Sequence, residues 1–196
     1  IDGVNLKILC NFDYKGINDK YVDYTKITWK GKKFDEIQLE KQLNKPKRAT
    51  YVYEHWLEHK QSRTLAFCAS IDHCEYMKKF FIEKGIKAVS VHSQSETNRT
   101  LAIKMLNENT IDIIFSVDLF NEGVDIPAID TILMLRPTES KIIFIQQFGR
   151  GLRKAKTYGK KFVRVIDFIG NHKSFLEKPA ALFNFDTDAN SLGKFI

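Results

Sequence analysis

The amino-acid sequence predicts an α/β fold, a mostly parallel sheet flanked by helices on both faces. Three observations carry that expectation. From Arg63 onward, short apolar runs alternate with segments whose apolar residues recur at helical spacing, as consecutive βα units require. Runs such as Leu65 to Ala69 and Phe162 to Phe168 read as buried strands of a sheet covered on both sides. The 196 residues, 43% hydrophobic and 28% charged, have the balance of a globular protein long enough for one or two domains. No apolar run approaches the roughly 20 residues that cross a bilayer, and no signal peptide is present, so no membrane partner is expected.

Each element has its own signal. Leu6 to Phe12 looks like a strand, whereas Tyr21 to Lys33 is polar and aromatic without a clear period. Pro46 opens a helix whose stripe is Ala49, Val52, Tyr53, Trp56 and Leu57, a face expected to pack on the sheet. After the strand Leu65 to Ala69, Asp72 and Glu75 suggest a capping box, Cys74, Met77 and Phe81 form a stripe, and Gly85 supplies a stop. Lys87 to Val91 is the next strand, Ser95 to Leu106 a helix, and Ile111 to Val117 and Thr131 to Leu135 two further strands. Ser140 to Arg153 is predicted helical, and Phe162 to Phe168 closes the sheet. The expected organisation is a connecting segment at 1–45, an α/β domain at 46–175 and the start of a following segment at 176–196. A first residue of Ile rather than Met, and a polar, irregular end, read as a piece cut from a longer chain.

The formal charge is +7, which favours an anionic partner only modestly. Its distribution says more. Lys141, Arg150, Arg153, Lys154, Lys156, Lys160, Lys161 and Arg164 are eight cations in a stretch without Asp or Glu, so one local feature outweighs the whole net charge. Cys10, Cys68 and Cys74 form no C-x-x-C pair, which argues against a disulfide framework or structural zinc and fits a reducing cytoplasm.

Two segments carry chemistry. In Gln146 to Arg153, helical spacing puts Gln146, Arg150 and Arg153 on one face and Ile145, Phe148 and Leu152 on another. Two guanidiniums beside a glutamine amide form a donor array suited to a phosphoryl group, and Gly149 lets a phosphate or backbone approach closely. The second segment, Phe115 to Pro127, begins at the carboxyl end of a predicted strand, where open α/β sheets bind ligands. There Gly123 suits a turn, Pro127 stops a helix, and Asp125 between them could accept from a ribose hydroxyl or orient an arginine. A solvated basic loop and a plain βα loop are the bland alternatives for these stretches.

Other chemistries lack their motifs. None of Gly31, Gly159 and Gly193, which precede lysines, sits in a P-loop, and no G-x-G-x-x-G follows a strand. His55 and His59 imitate a zinc pair, but the glutamate is misplaced for H-E-x-x-H, and no metal site is expected. Asp118 and Glu122 at i, i+4 have no sign of the desolvation that acid/base work needs.

Together the two segments resemble motifs V and VI of the second RecA-like lobe of superfamily 2 helicases. Gly123, Asp125 and Pro127 match the G-x-D-x-P end of motif V, and Gln146, Gly149, Arg150 and Arg153 match the Q-x-x-G-R-x-x-R of motif VI. Phe67 to Asp72 resembles motif IV. The surrounding Glu122 to Pro127, Leu135 to Ser140 and Gly149 to Arg153 are similar to DEAD/DEAH-type helicases related to restriction-enzyme motor subunits. The similarity spans Arg63 to His172.

That resemblance implies a RecA-like, P-loop-NTPase-type fold without the P-loop itself. It implies the C-terminal motor lobe of an ATP-dependent DNA helicase or translocase, with ATP and Mg2+ bound mainly by a first RecA-like lobe. Arg153 is then the arginine finger, Arg150 also approaches the phosphates, Gln146 positions that network, and Gly123, Asp125 and Gly149 belong to the ATP site. Ser70, Ser93, Arg99, Ser116, Val117 and Asp118 are the implied nucleic-acid contacts, with DNA favoured over RNA. Many relatives carry threonine at the position of Val117, so a backbone amide or the neighbouring Ser116 would take over that contact. A non-catalytic binding module with the same fold, or a Rossmann-type nucleotide-dependent transferase, are the competing expectations.

Overall fold

The computed structural model describes residues 11–30, 33–117, 129–137 and 162–170. In chain order the strands are β1 (Asn11–Asn18), β2 (Trp29–Lys30), β3 (Lys33–Phe34), β4 (Thr64–Phe67), β5 (Ala88–Val91), β6 (Ile113–Ser116), β7 (Thr131–Met134) and β8 (Phe162–Ile169). The helices are α1 (Glu36–Leu43), α2 (Pro46–His59), α3 (Ile71–Glu83) and α4 (Arg99–Asn107). A 3-10 turn occupies Tyr24–Lys26. Among the described residues, six strands form one sheet in the order β1-β8-β7-β4-β6-β5, and every neighbouring pair is parallel. The predicted helix Ser140 to Arg153, the strand start Leu6 to Cys10 and the segment 176–196 lie outside the described residues.

The two-sided burial inferred from the apolar runs is present. Successive strand residues point to opposite faces, and the core divides accordingly. Leu65, Phe67, Ile114, Ile132, Met134, Val163 and Val165 pack with Ala102 and Leu106 of α4. Ala66, Cys68, Ile113, Phe115, Leu133, Ile166 and Phe168 pack on the other face with α2 and α3. On that second face Phe81 centres an aromatic cluster, 5.0 Å from the rings of Trp56 and Phe115 and 5.4 Å from Tyr53. Trp56 also donates through Nε1 to Thr64 Oγ1 at 3.0 Å, which satisfies a buried indole.

Three local expectations are corrected. Leu57 is 50% exposed and contributes no core face, whereas Arg48 lies fully buried beside Ala49, Val52 and Trp56. Helix α3 starts before the expected capping box. Ser70 is its N-cap and accepts from His73 N at 3.1 Å, while Glu75 turns across the sheet edge to Ser90 and His92. Gly85 does end the helix, with φ +82°, a conformation that favours glycine. Finally, the early strand, whose expected start lies outside the described residues, runs on past Phe12 to Asn18 and pairs with β8, Asn11 opposite Phe162 and Asn18 opposite Ile169. Its polar residues hid it, and Asp13 meets Arg164 of β8 at 3.1 Å. Beyond it, Val22, Tyr24, Ile27, Phe34, Leu39 and Leu43 form a third core cluster with Ile169.

Candidate functional site

Because the six paired strands are parallel, their carboxyl ends share one edge, and the loops leaving it carry the predicted contacts. Backbone bonds across this edge hold the loops in register. Cys68 N donates to Ser116 O at 2.8 Å, Leu135 N to Phe67 O at 3.0 Å and Val117 N to Val91 O at 3.3 Å.

Ser70 leaves β4 here, capping α3 and donating its hydroxyl to Glu40 Oε2 of α1 at 2.9 Å. Ser116 ends β6, fully buried, and its Oγ has no hydrogen-bond partner among the described residues. Val117 follows it, half-buried against the α2/α3 face, with its amide committed to Val91 rather than free for a phosphate. Ser93 and Arg99 are exposed on the loop after β5 and at the start of α4, which Asn98 caps. The edge therefore gathers Ser70, Ser93, Arg99, Ser116 and Val117. Asp118, Gly123, Asp125, Gln146, Gly149, Arg150 and Arg153 lie outside the described residues.

Beneath this edge lies a buried charge network that the sequence reading missed. Arg48 of α2 donates through Nε and Nη2 to Asp19 Oδ2, both at 2.9 Å, and through Nη2 to the Leu135 carbonyl at 3.1 Å. Its Nη1 lies 3.4 Å from His73 Nε2, and Tyr24 donates its hydroxyl to Asp19 at 3.0 Å. One guanidinium thus ties together the loops after β1 and β7 and the first turn of α3. Burial works against the charge on Arg48, yet Asp19 holds its pKa above the ordinary value. Burial, and then Asp19, push the Tyr24 hydroxyl well up. His73 is held well below 6.5 by burial and by Arg48, so it stays neutral, with Nδ1 accepting from the Ala69 amide at 3.3 Å.

This histidine sets a pH dependence. Its folded pKa is depressed, so the unfolded chain binds the proton more readily and stability is lost as pH falls below 6.5. His73→Gln is expected to flatten that part of a stability-against-pH curve measured by urea unfolding. An unchanged slope would show that His73 protonates freely in the folded protein.

A second polar group lies at the sheet's β5 edge. His92 Nε2 is 2.9 Å from Glu75 Oε1, and Ser90 and Lys78 also bond to this carboxylate, beside a cavity of about 610 Å³. Partial burial opposes ionisation of Glu75, but the hydrogen bonds from Lys78, Ser90 and His92 hold its pKa at about 2. Ser90 and His92 both bond to the carboxylate, an arrangement without an activated nucleophile. On α2, donor atoms of His55, Glu58 and His59 lie within 4.8 Å of one another, so Glu58 supplies a third donor that spacing alone did not suggest. Burial lowers the pKa of His59, against the opposing charge of Glu58 and with the added effect of Arg164.

With the edge in place, the comparisons define the class. The model of the helicase conserved C-terminal domain matches residues 44–155, and the chain belongs to that family. It is 33% identical over 131 residues to IRC3 of Saccharomyces cerevisiae, whose name describes an ATP-dependent helicase, covering 66% of this chain and 19% of that protein. A 51.5 kDa protein of a Lactococcus phage is 26% identical over 169 residues, covering 86% of this chain and 36% of its own length. The chain therefore spans roughly a fifth to a third of these relatives.

Solved structures agree on the fold. A fragment described as an HsdR subunit of a type I restriction enzyme from Vibrio vulnificus superposes with a TM-score of 0.62 at 19% identity, over 85% of this chain and 33% of that one. The C-terminal domain of the DEAD-box protein Dbp5 gives 0.58 at 16% identity, over 77% and 90%. The fold is that of a RecA-like helicase C-terminal lobe. No described helix is long and apolar enough to cross a membrane.

Proposed function

We propose that the chain is the C-terminal motor lobe of an ATP-dependent DNA helicase or translocase. The observation that carries this reading is the family match over 44–155, which spans both the Phe115 to Pro127 and the Gln146 to Arg153 segments. ATP would sit between this lobe and a first lobe that supplies the P-loop. Arg153 is the finger on the γ-phosphate, Arg150 and Gln146 complete the phosphate array, and Gly123, Asp125 and Gly149 shape its approach. The donors from Gln146 to Arg153 are cationic or neutral and suit phosphate, not Mg2+. The metal is therefore held mainly by the first lobe, where it would neutralise phosphate charge. Ser70, Ser93, Arg99 and Asp118 line the nucleic-acid side, with Ser116 buried beneath it and Val117, its amide bonded to Val91, beside it. Closure of two lobes on ATP, and their opening after hydrolysis, would then move the strand ends along a nucleic-acid backbone.

The test is ATP hydrolysis with and without DNA, by this chain alone and by a protein joining it to its first lobe. The expected result is turnover stimulated by DNA in the joined protein only. Turnover by the chain alone, or none by the joined protein, overturns the reading. Stimulation by RNA but not DNA corrects the substrate.

A further inference from the structure

The carboxyl edge continues past Ser70 into a cavity of about 480 Å³ that lies between the end of β1 and the end of α1. Lys20, Tyr21, Lys26, Gln42 and Lys45 line it, together with Asp19 and Asp23. The lining charges do not cancel. Asp19 is neutralised by the buried Arg48, at 2.9 Å, and Asp23 by Lys26, at 3.1 Å. Among the described residues, Lys20 and Lys45 have no carboxylate partner. Lys45 is half-buried and bonds only to the neutral Gln42 side chain, while the Lys20 ammonium lies 4.5 Å from the Tyr51 ring centroid and 5.4 Å from that of Tyr21. A half-buried lysine such as Lys45, with no counter-ion among the described residues, favours an anion, and the exposed Lys20 stands beside it in the same lining.

Position specifies which anion. α1 carries Gln42 into the cavity and, two residues earlier, Glu40 to the Ser70 hydroxyl, while Arg48 joins Asp19 at the cavity floor to the first turn of α3. The cavity is thus built into the same edge as the Ser70 end of β4. Tyr21 is 36% exposed, and its ring is braced edge-on by Tyr51 at 5.3 Å.

We propose that this cavity is a second contact for a single DNA strand crossing the edge, with Lys20 and Lys45 on one of its phosphates and the Tyr21 ring stacked on the adjoining base. The contact rests on the nucleic-acid reading above and joins Lys45, at the start of the matched domain, to Lys20 and Tyr21, which lie ahead of it. Two lysines on phosphates make the attraction salt-dependent, and an aromatic face adds a contribution that tolerates any base.

The experiment is fluorescence anisotropy of a labelled oligothymidylate titrated with the chain over a series of salt concentrations. Four proteins are compared: the natural chain, Lys20→Gln with Lys45→Gln, Lys20→Arg with Lys45→Arg, and Lys79→Gln with Lys104→Gln. The last pair removes the same charge from exposed positions on α3 and α4. The glutamine pair at the cavity is expected to bind roughly tenfold more weakly at moderate salt and to lower the salt slope by about 1.4, the value for two lost contacts on a single strand. The arginine pair should bind like the natural chain. A natural chain that does not bind at low salt overturns the nucleic-acid reading and this contact with it. Binding by the natural chain that falls equally in both glutamine pairs, or in neither, overturns the cavity contact alone.

Discussion

Arg153→Ala in the joined two-lobe protein is expected to lower DNA-stimulated ATP hydrolysis by roughly 10³- to 10⁵-fold. Lys156→Ala, which removes a charge from the same basic stretch, should leave the rate unchanged. In phosphoryl transfer the charge is spread over the oxygens of the transferring group, and little covalent work is left for the protein. A guanidinium that meets those oxygens only when the lobes close stabilises the transition state more than the bound substrate, so the loss appears in kcat rather than in KM. The sequence predicts a helix on which Gln146, Arg150 and Arg153 share one face, and the proposed function gives Arg153 the finger's position. Equal rates in the natural, Arg153→Ala and Lys156→Ala proteins would remove the assignment and leave a basic binding module. A loss shared by both variants would reduce Arg153 to one part of a general electrostatic attraction.

The second large effect is on stability. Arg48→Met is expected to destabilise the chain by about 3–5 kcal/mol, because it leaves Asp19 charged and buried without its counter-ion. Both side chains of the pair have 0% exposure, so solvent cannot take over the pairing. Against a total stability on the order of 5–15 kcal/mol, such a loss would unfold a sizeable fraction of the molecules on mild warming. Removing both charges, with Arg48→Met and Asp19→Leu, should recover much of the loss, since no charge then stays buried alone. Urea unfolding of the two variants and the natural chain measures this directly. A loss below about 1 kcal/mol for Arg48→Met alone would mean that water reaches the pair.

These two experiments address different strata of information. The family was legible in sequence because its motifs depend on short, fixed spacings: Gln146, Arg150 and Arg153 within eight residues, and a glycine, an aspartate and a proline within five. The sheet was legible for a similar reason, since burial on both faces leaves unbroken apolar runs at Leu65 to Phe67 and Ile113 to Phe115. Where a polar side chain finds its partner far along the chain, local pattern misleads. Ser70, with no acidic residue at the capping-box position, proved the better N-cap than Asp72 because its extended backbone aims the hydroxyl at His73 N. Glu75, expected in a capping box, is held instead by side chains of β5 and the residue that follows it.

By itself the sequence determined the alternation of strands and helices, the parallel character of the sheet and the family, because each rests on periodicity or on residues close together in the chain. The tertiary structure alone decided that Asn11–Asn18 becomes an edge strand against β8, since its polar residues are tolerable only where a distant partner meets them, as Arg164 meets Asp13. It also decided the fate of the charges. Arg48 sits on the face of α2 that carries Ala49 and Val52, and nothing local distinguishes it from a solvated arginine until Asp19, Leu135 and His73 close around it. Lys20 and Lys45 are ordinary lysines in the sequence, and folding alone withdraws the nearby carboxylates into other pairs and leaves these two facing one cavity. Whether a charge is paired, buried or free depends on what long-range packing brings to it, and neighbours in sequence do not encode that.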